Sequence, residues 1–360
     1  LFFEFIELHK PLIKCVVEDR VKDESPKPAG FVFDMFCIAL ADVANELGAP
    51  SYVFLTSGAN FLNFVFYVLS LADDYGLEAC DIAAKFSYSE FESLVSGFKN
   101  PLPSKFNPGI VMLLNLGRQF KKTKGILVNT YAEFESFAIQ ALHNSDDKRI
   151  LPIYPVGPIL ELKRDGEADS EEKRSIMKWL DGQPVSSVVF LCFGSMGSLD
   201  EEQVKKITIG LDKSGVRFLW ALRKPPSVVN PGIPRDNEMY LNVLPEGFLS
   251  HTINKGKIIE WAPQIDNLWF GVPIGAWPMY AEQNLNAFEL VADLKLAVKI
   301  RMDYYMDLKI GKEVSMDENM SRNVKDMSDM GRKALEDGGS SCHWLDRFIN
   351  DVLRNVVKGE

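Results

Sequence analysis

Residues 261–283 read WAPQIDNLWFGVPIGAWPMYAEQ, and the segments in and around this stretch predict the fold. An apolar run at 257–260 precedes it, a second apolar run lies inside it at 273–276, and a helical pattern follows at 281–294. Short apolar runs that alternate with helix-length segments are typical of a parallel β-sheet covered by helices. The stretch therefore predicts a strand that exits into a loop, then a buried strand, and then the start of a helix.

The same alternation extends through both halves of the chain. In the first half it predicts strands and helices in turn at 29–36, 38–47, 51–55, 60–74, 125–128 and 132–143. In the second half it predicts a further series at 187–193, 200–213, 216–222 and 296–300. Between the halves, the proline-rich residues 152–158 and the charged residues 161–174 indicate an interdomain crossing. The predicted fold class is α/β with two parallel sheets.

Composition excludes several classes of function. The 360 residues carry a net charge of −10, so a basic face for nucleic acid is not expected. The five cysteines are odd in number and lack a CxxC pair, which argues against a disulfide framework or a zinc site and favours a reducing cytoplasm. The longest apolar run, 61–71, is too short to span a membrane and predicts a buried helix. Because the sequence opens at Leu1 inside a helical pattern, we expect a truncated N-terminus.

Two positions at predicted strand ends carry groups that suit a ligand. Residues 193–197, FGSMG, precede a capping-box pattern at 198–201, and a glycine loop before a helix start can cradle a phosphate. A tight turn that needs glycine is the alternative. Asp34 lies at the carboxyl end of the first predicted strand, where open α/β sheets bind ligands, although such an aspartate also caps turns. The glycine loop is not GxGxxG, which disfavours a dinucleotide-dependent oxidoreductase.

The succession of WAPQ, GVPI, AWP and AEQ in residues 261–283 resembles the C-terminal signature of plant family-1 UDP-glycosyltransferases. The resemblance covers nearly the whole chain and implies a GT-B architecture, in which two Rossmann-like domains face each other across a cleft. The family's signature is about twice as long, however. Its central part, which places the UDP diphosphate at a helix start, has no counterpart here.

The resemblance implies that UDP-glucose is the donor and that no metal ion is needed. Glucose is favoured because Gln283 ends the signature. The implied donor contacts are Trp261 and Ala262 to uracil, Gln264 and Asp266 to ribose, Ser195 to phosphate, and Thr56, Glu282 and Gln283 to the sugar. The alternative for the loop that contains Thr56 is a Ser/Thr cap on the following helix.

The resemblance assigns a catalytic role to Asp34. The corresponding aspartate of the family orients a histidine that takes the proton of the acceptor hydroxyl, which then attacks the anomeric carbon with inversion. The sequence contains no histidine at that position, and its four histidines are His9, His143, His251 and His343. We therefore expect the sequence as written to transfer sugar at a rate near background.

The resemblance also implies a domain division. Residues 1–151 would form an incomplete acceptor-side domain, residues 152–341 the UDP-sugar-binding domain, and residues 342–360 a helix that packs back on the first domain. The implied function is transfer of glucose from UDP-glucose to a hydroxyl of a small flavonoid, phenolic or terpenoid acceptor by a cytoplasmic monomer. The alternative is a non-catalytic truncated product that retains weak UDP binding.

Overall fold

A computed structural model of the chain describes residues 2–23, 28–79, 81–82, 108–144, 151–159, 171–184, 187–194, 197–223, 241–260, 274–279, 283–299 and 318–357. Within these ranges helices alternate with strands, and all the strand pairs that they contain are parallel. The predicted α/β class is confirmed.

The first half of the chain builds a four-stranded sheet in the order β1-β2-β3-β4. Its strands are β1 (Phe31–Asp34), β2 (Ser51–Leu55), β3 (Ile126–Val128) and β4 (Ile153–Pro155). Its helices are α1 (Phe2–Asp23), α2 (Ala41–Glu46), α3 (Ala59–Asp73), α4 (Pro108–Phe120) and α5 (Ser136–Asn144). Asp34 pairs in register with Phe54, so the ends of β1 and β2 lie side by side.

Strand β2 lies at the centre of the core of this half. Val53 and Leu55 are completely buried, and they share one apolar cluster with Leu62 and Val65 of α3. The apolar run at 61–71 is therefore a buried helix, as predicted. Across the described ranges, no helix is long and apolar enough to cross a membrane.

Strand β4 is an element that the sequence analysis did not predict. It lies within residues 152–158, which were interpreted as an interdomain crossing, and it pairs with β3 at the edge of the sheet. The prolines in and around it do not indicate a strand, because proline cannot donate to a strand ladder. Within sheets it is therefore confined to edge strands and strand ends. The final residue of the strand, Pro155, occupies such a position.

The segment after β1 also differs from the predicted helix at 38–47. A 3-10 helix, Met35–Leu40, comes first, and α2 follows it. The Asp34 carboxylate accepts a hydrogen bond from the Phe36 N–H at 2.9 Å, so the first turn already begins at Met35. This Asp cap explains why the helical structure starts earlier than the apolar pattern indicates.

The second half contains a three-stranded parallel sheet and a separate parallel pair. The strands are β5 (Val188–Leu191), β6 (Arg217–Ala221) and β7 (Gly256–Ile259) in the sheet, and β8 (Ile274–Ala276) and β9 (Ala297–Lys299) in the pair. The helices are α6 (Glu171–Asp181), α7 (Glu201–Ser214), α8 (Phe248–His251) and α9 (Gln283–Phe288). A short 3-10 helix, Leu241–Val243, precedes α8, and a π-helical turn, Glu289–Asp293, continues α9.

A capping box starts α7, but it lies two residues later than the pattern predicted at 198–201. The Asp200 side chain accepts from the Gln203 N–H at 2.7 Å, and the Gln203 side chain accepts from the Asp200 N–H at 3.1 Å. The helix ends at Gly215, whose φ of 62° is the left-handed conformation that glycine adopts without strain. Both ends of α7 are therefore fixed by local sequence.

The chain ends in two helices, α10 (Glu318–Leu335) and α11 (Ser340–Val357). Helix α11 returns to the first sheet, where the Phe348 ring meets the rings of Tyr52 and Tyr154 edge-on at centroid distances of 5.0 and 5.3 Å. The Asn355 amide donates to the Tyr52 hydroxyl at 2.9 Å. The end of the chain is thus part of the packing of its first half.

Candidate active site between the two halves

The carboxyl end of the first sheet presents two of the residues that the sequence analysis selected. Asp34 is half-buried at the end of β1, and Thr56 is exposed one residue beyond the end of β2. The Thr56 hydroxyl lies 4.0 Å from the sulfur of Met35, the residue after Asp34. The parallel pairing of β1 and β2 therefore brings Asp34 and Thr56 to the same edge, where ligands of such sheets bind.

The histidines are held at other places in the fold. His9 bonds to the Phe5 carbonyl within α1 at 2.7 Å. His143 stacks on Trp344 at 5.2 Å, and its Nε2 lies 3.4 Å from the Ile153 carbonyl oxygen. His251 and His343 lie in α8 and α11. The hydrogen bond that the structure gives to the Asp34 carboxylate comes from the backbone of Phe36.

The loop from Thr56 to Gly58 is not a Ser/Thr cap of α3, which settles one alternative from the sequence. Gly58 is the N-cap residue, and no side chain within the loop caps the helix. Instead, the buried carboxylate of Glu135 accepts from the N–H groups of Ala59 and Asn60, each at 2.8 Å. A carboxylate at a helix start satisfies otherwise unpaired donors and complements the helix dipole.

Gly58 is the residue that permits this approach. A Cβ atom added there would lie 2.7 Å from both carboxylate oxygens of Glu135, which is closer than any real Cβ contact. The loop after β2 is thus shaped by a residue 76 positions away from Ala59 along the chain. Sequence reasoning missed Glu135 because nothing local marks it as a cap of α3.

A second buried glutamate reaches the same place from the second half of the chain. Glu289 lies in the π-helical turn after α9, and the Asn60 side-chain amide donates a hydrogen bond to it. Burial, followed by the negative charge of Glu135, raises the pKa of the Glu289 carboxyl to about 8. The signal that could have revealed Glu289 is its position inside the apolar sequence AFELV, where a charged side chain would be buried.

The glycine loop after β5 lies against the Trp-Pro turn of the signature stretch. The Phe193 ring meets the Trp277 ring edge-on at 5.5 Å. Gly194 has a φ of 79°, and a Cβ on Gly197 would lie 1.9 Å from the Phe193 carbonyl oxygen. The backbone conformation of this turn requires both glycines. Their presence is therefore explained by the turn itself and does not depend on phosphate binding.

Gln283 is the first residue of α9. Its side-chain oxygen accepts from the Met279 N–H at 2.8 Å, which fixes the amide at the end of the loop that follows β8. The other predicted donor-site residues lie outside the described residues, namely Ser195, Trp261, Ala262, Gln264, Asp266 and Glu282. Among the residues that the structure does describe, no group of three His, Cys, Asp or Glu side chains is placed to hold a metal ion.

Comparison with known proteins links this geometry to a family. The family described as UDP-glucoronosyl and UDP-glucosyl transferase matches residues 154–332. A UDP-glucose flavonoid 3-O-glucosyltransferase of Fragaria ananassa is 45% identical over 98% of this chain and 81% of its own length. A transferase from Siraitia grosvenorii, solved with UDP, has a TM-score of 0.78 at 39% identity and covers 97% of this chain and 87% of its own.

A second solved relative, a Medicago truncatula transferase in complex with UDP-glucose, has a TM-score of 0.75 at 33% identity, over 98% of this chain and 80% of its own. These likenesses confirm the predicted GT-B architecture. The alignment with the Fragaria protein spans 397 positions, and 98% of 360 residues is about 353, so about 44 aligned positions have no residue in this chain. The relatives thus contain internal residues that this sequence lacks.

Proposed function

This chain belongs to the family of UDP-glucuronosyl and UDP-glucosyl transferases, and we propose that it transfers glucose from UDP-glucose to a hydroxyl of a small lipophilic acceptor, with inversion at the anomeric carbon. The observation that carries the proposal is the likeness over 98% of the chain to a UDP-glucose flavonoid glucosyltransferase. The acceptor class is accordingly of the flavonoid, phenolic or terpenoid type.

We assign recognition of the nucleoside to the start of the signature stretch. Trp261 stacks its indole on uracil, because stacking requires only an exposed aromatic face. The Ala262 backbone pairs with the edge of the base, and Gln264 and Asp266 hydrogen bond to the ribose hydroxyls, which both donate and accept. The support for these roles is the position of each residue in the family's signature, where Asp266 stands in place of the family's usual glutamate.

We assign the binding of the phosphate and the sugar to three loops. Ser195, in the glycine loop ahead of α7, contacts the phosphate at a helix start. Glu282 and Gln283 bind the sugar hydroxyls through a carboxylate beside an amide, and Thr56 reaches the sugar from the other half. The packing of Phe193 on Trp277 supports the arrangement, because it joins the glycine loop to the turn that leads to α9. None of these contacts requires a metal ion.

The chemistry is a displacement at the anomeric carbon. The acceptor oxygen forms a bond to this carbon while the bond from the carbon to the UDP oxygen breaks, so UDP leaves with the electron pair. The proton of the acceptor hydroxyl must pass to a general base, and the histidine that takes it in the family has no counterpart at its position in this sequence. Asp34 is assigned the place of the family's orienting aspartate, which is supported by its position at the ligand-binding edge of the first sheet.

The domain division fits this chemistry. Residues 1–151 supply the acceptor side, with β4 contributed from just beyond that boundary, and residues 152–341 bind UDP-glucose. Helix α11, which contains most of residues 342–360, packs on the first domain. We propose that the protein works as a monomer in the cytoplasm. The odd number of cysteines and the absence of a CxxC pair support the reducing compartment in this proposal.

A second candidate function rests on the shortened signature. The stretch from Trp261 to Gln283 has 23 residues, about half the family's length, and it lacks the part that holds the diphosphate. Loss of one preorganised group that faces developing charge lowers the rate by about 10²–10³-fold. A protein that binds UDP weakly and does not transfer sugar is therefore the alternative.

A competition between donors tests the proposal. The protein is incubated with a flavonol and with equal amounts of ¹³C-labelled UDP-glucose, unlabelled UDP-galactose and UDP-glucuronic acid. The mass of the product then identifies the sugar transferred. We expect the labelled hexoside to dominate. A product that carries unlabelled hexose or glucuronic acid would refute UDP-glucose as the donor, and Glu282→Ala serves as the inactive control.

A further inference from the structure

The two halves of the chain meet at a pair of buried carboxyl groups. Glu135, which follows β3, is 3% exposed, and Glu289, which follows α9, is 7% exposed. Both carboxyls bind Asn60, since Glu135 accepts from its backbone N–H and Glu289 accepts from its side-chain amide. The contact therefore joins the start of α3 and the loop after β3, both from the first half, to the end of α9 in the second half.

The geometry fixes which carboxyl carries a proton. Two ionised carboxylates in contact at a buried site repel each other, so the pair retains one proton. Both oxygens of Glu135 accept backbone N–H bonds at the start of α3, and these donors favour a negative charge there. The proton is therefore placed on Glu289, which can donate it toward Glu135.

The surrounding charges support this assignment. Burial acts most strongly on Glu289, and the Glu135 charge acts next, so that the pKa of Glu289 rises to about 8. Asp293, on the same π-helical turn, acts in the same direction, whereas the Asn60 hydrogen bond acts in the opposite direction. The carboxyl of Glu289 is thus mostly neutral at pH 7 and becomes charged as the pH rises past about 8.

The position of the pair connects it to the proposed active site. Glu289 lies six residues after Gln283 on one continuous helical segment, and Asn60 lies four residues after Thr56 at the start of α3. A bond between Glu289 and the start of α3 therefore sets the distance between the two loops to which we assign the sugar. The Gly58 backbone makes room for it, because any side chain there would displace Glu135.

We propose that Glu289 is a positioning residue, whose protonated carboxyl clasps Glu135 and Asn60 and so holds the helix that begins at Gln283 against the Thr56 loop. Above the pH at which Glu289 ionises, the clasp opens because two buried negative charges face each other. The effect on the sugar site rests on the proposed function. The clasp itself does not, because it is a contact within the unliganded protein.

The clasp is tested by the stability of the unliganded protein as a function of pH. Because the folded-state pKa is raised, the stabilisation from protonated Glu289 is complete below the ordinary carboxyl pKa of 4.5 and is lost as pH rises to about 8. Between these two pH values, the ionisation of Glu289 raises the unfolding equilibrium constant of the wild type by up to about tenfold per pH unit. Glu289→Gln, which donates at every pH, removes this gain.

The matched control is Glu246→Gln, an exposed glutamate whose curve should run parallel to that of the wild type. Glu289→Ala should be less stable at pH 5, because it leaves Glu135 and Asn60 without their partner. Asn60→Ala is an independent variant: it deletes a bond that lowers the pKa of Glu289, so its stability loss should extend to higher pH. Parallel curves for wild type, Glu289→Gln and Asn60→Ala would overturn the proposal.

A spectroscopic and a binding readout separate the clasp from the function. A protonated carboxyl gives an infrared C=O band at neutral pH, which should be absent in Glu289→Gln. The Kd for UDP-glucose should rise above pH 8 in the wild type and remain constant in Glu289→Gln. If the band and the stability slope disappear in Glu289→Gln but neither protein binds UDP-glucose, the clasp is confirmed and the proposed donor is refuted. A band that persists in Glu289→Gln would refute the clasp.

Discussion

The hydroxyl of Tyr154 on β4 donates a hydrogen bond to the carboxylate of Asp351 on α11 over 2.9 Å. This bond joins an edge strand of the first sheet to the last helix of the chain, 197 residues later. Burial of the phenol, together with the nearby Asp351 charge, raises the pKa of Tyr154 above its usual value. The hydroxyl is therefore a donor throughout the working pH range.

Phe348→Ala should destabilise the protein, because it removes the ring that fills the space between Tyr52 and Tyr154. Truncation of a buried phenylalanine typically costs about 3–5 kcal/mol. Urea unfolding measures the change, and Leu353→Ala on the same helix is the control, since that side chain is 53% exposed and should cost less than about 0.5 kcal/mol. Equal losses in both variants would contradict the packing of α11 on the first sheet.

Gly58→Ala should displace the Glu135 carboxylate from the start of α3. Two backbone donors then lose their partner, which costs about 1–3 kcal/mol each when no water replaces it. Gly210→Ala in α7 is the control, because a Cβ there meets no atom within 4 Å and alanine favours a helix by about 1 kcal/mol. Thermal unfolding should therefore show opposite shifts, and a stabilised Gly58→Ala protein would contradict the cap.

Asp34 combines a structural and a proposed catalytic role, and two substitutions separate them. Asparagine can still accept the hydrogen bond from Phe36, so Asp34→Asn should retain stability, whereas Asp34→Ala should lose about 1 kcal/mol of capping. If Asp34 contributes its charge to catalysis, both should lower the rate of transfer by at least about tenfold, because neither carries a negative charge. Full activity in Asp34→Asn would show that Asp34 serves only as a helix cap.

Trp261→Ala should weaken UDP binding. Base stacking on an aromatic side chain contributes about 1–3 kcal/mol, which corresponds to about 5- to 150-fold in Kd. Titration calorimetry with UDP measures the change, and Tyr75→Ala serves as the control for loss of an exposed aromatic ring far along the chain. Equal affinities for UDP in wild type and Trp261→Ala would remove Trp261 from the donor site.

The sequence predicted those elements whose signal is local. Strand β2 was predicted at its observed bounds because SYVFL is a continuous β-prone run between turn residues. A capping box before α7 was predicted at 198–201, but Asp200 and Gln203 form it two residues later, because the same short stretch contains two overlapping cap patterns. Strand β4 was missed because its prolines resemble a linker. The prediction of the fold class required only the alternation of strands and helices. An error in one strand does not change that alternation.

The contacts between the halves could not be predicted from the sequence. Asn60 and Glu289 are separated by 229 positions, and neither is marked by its neighbours as a partner of the other. Pairing of this kind depends on how α3 and α9 approach each other, and tertiary packing alone determines that approach. For the same reason, the cap on α3 was sought in Thr56 and Ser57, whereas Glu135 provides it.

The most direct test of the central claim is the formation of a hexoside from UDP-glucose, measured by mass spectrometry with a panel of flavonol acceptors. The account predicts a product heavier by one hexose, an equal amount of UDP, and no product in Glu282→Ala. Because the shortened signature lacks the diphosphate-binding part and the family's base histidine has no counterpart here, the rate should be at least about 10²–10³-fold below that of the Fragaria relative under the same conditions. Absence of hexoside with every acceptor, in a protein that still binds UDP, would contradict the transferase assignment and favour the non-catalytic alternative.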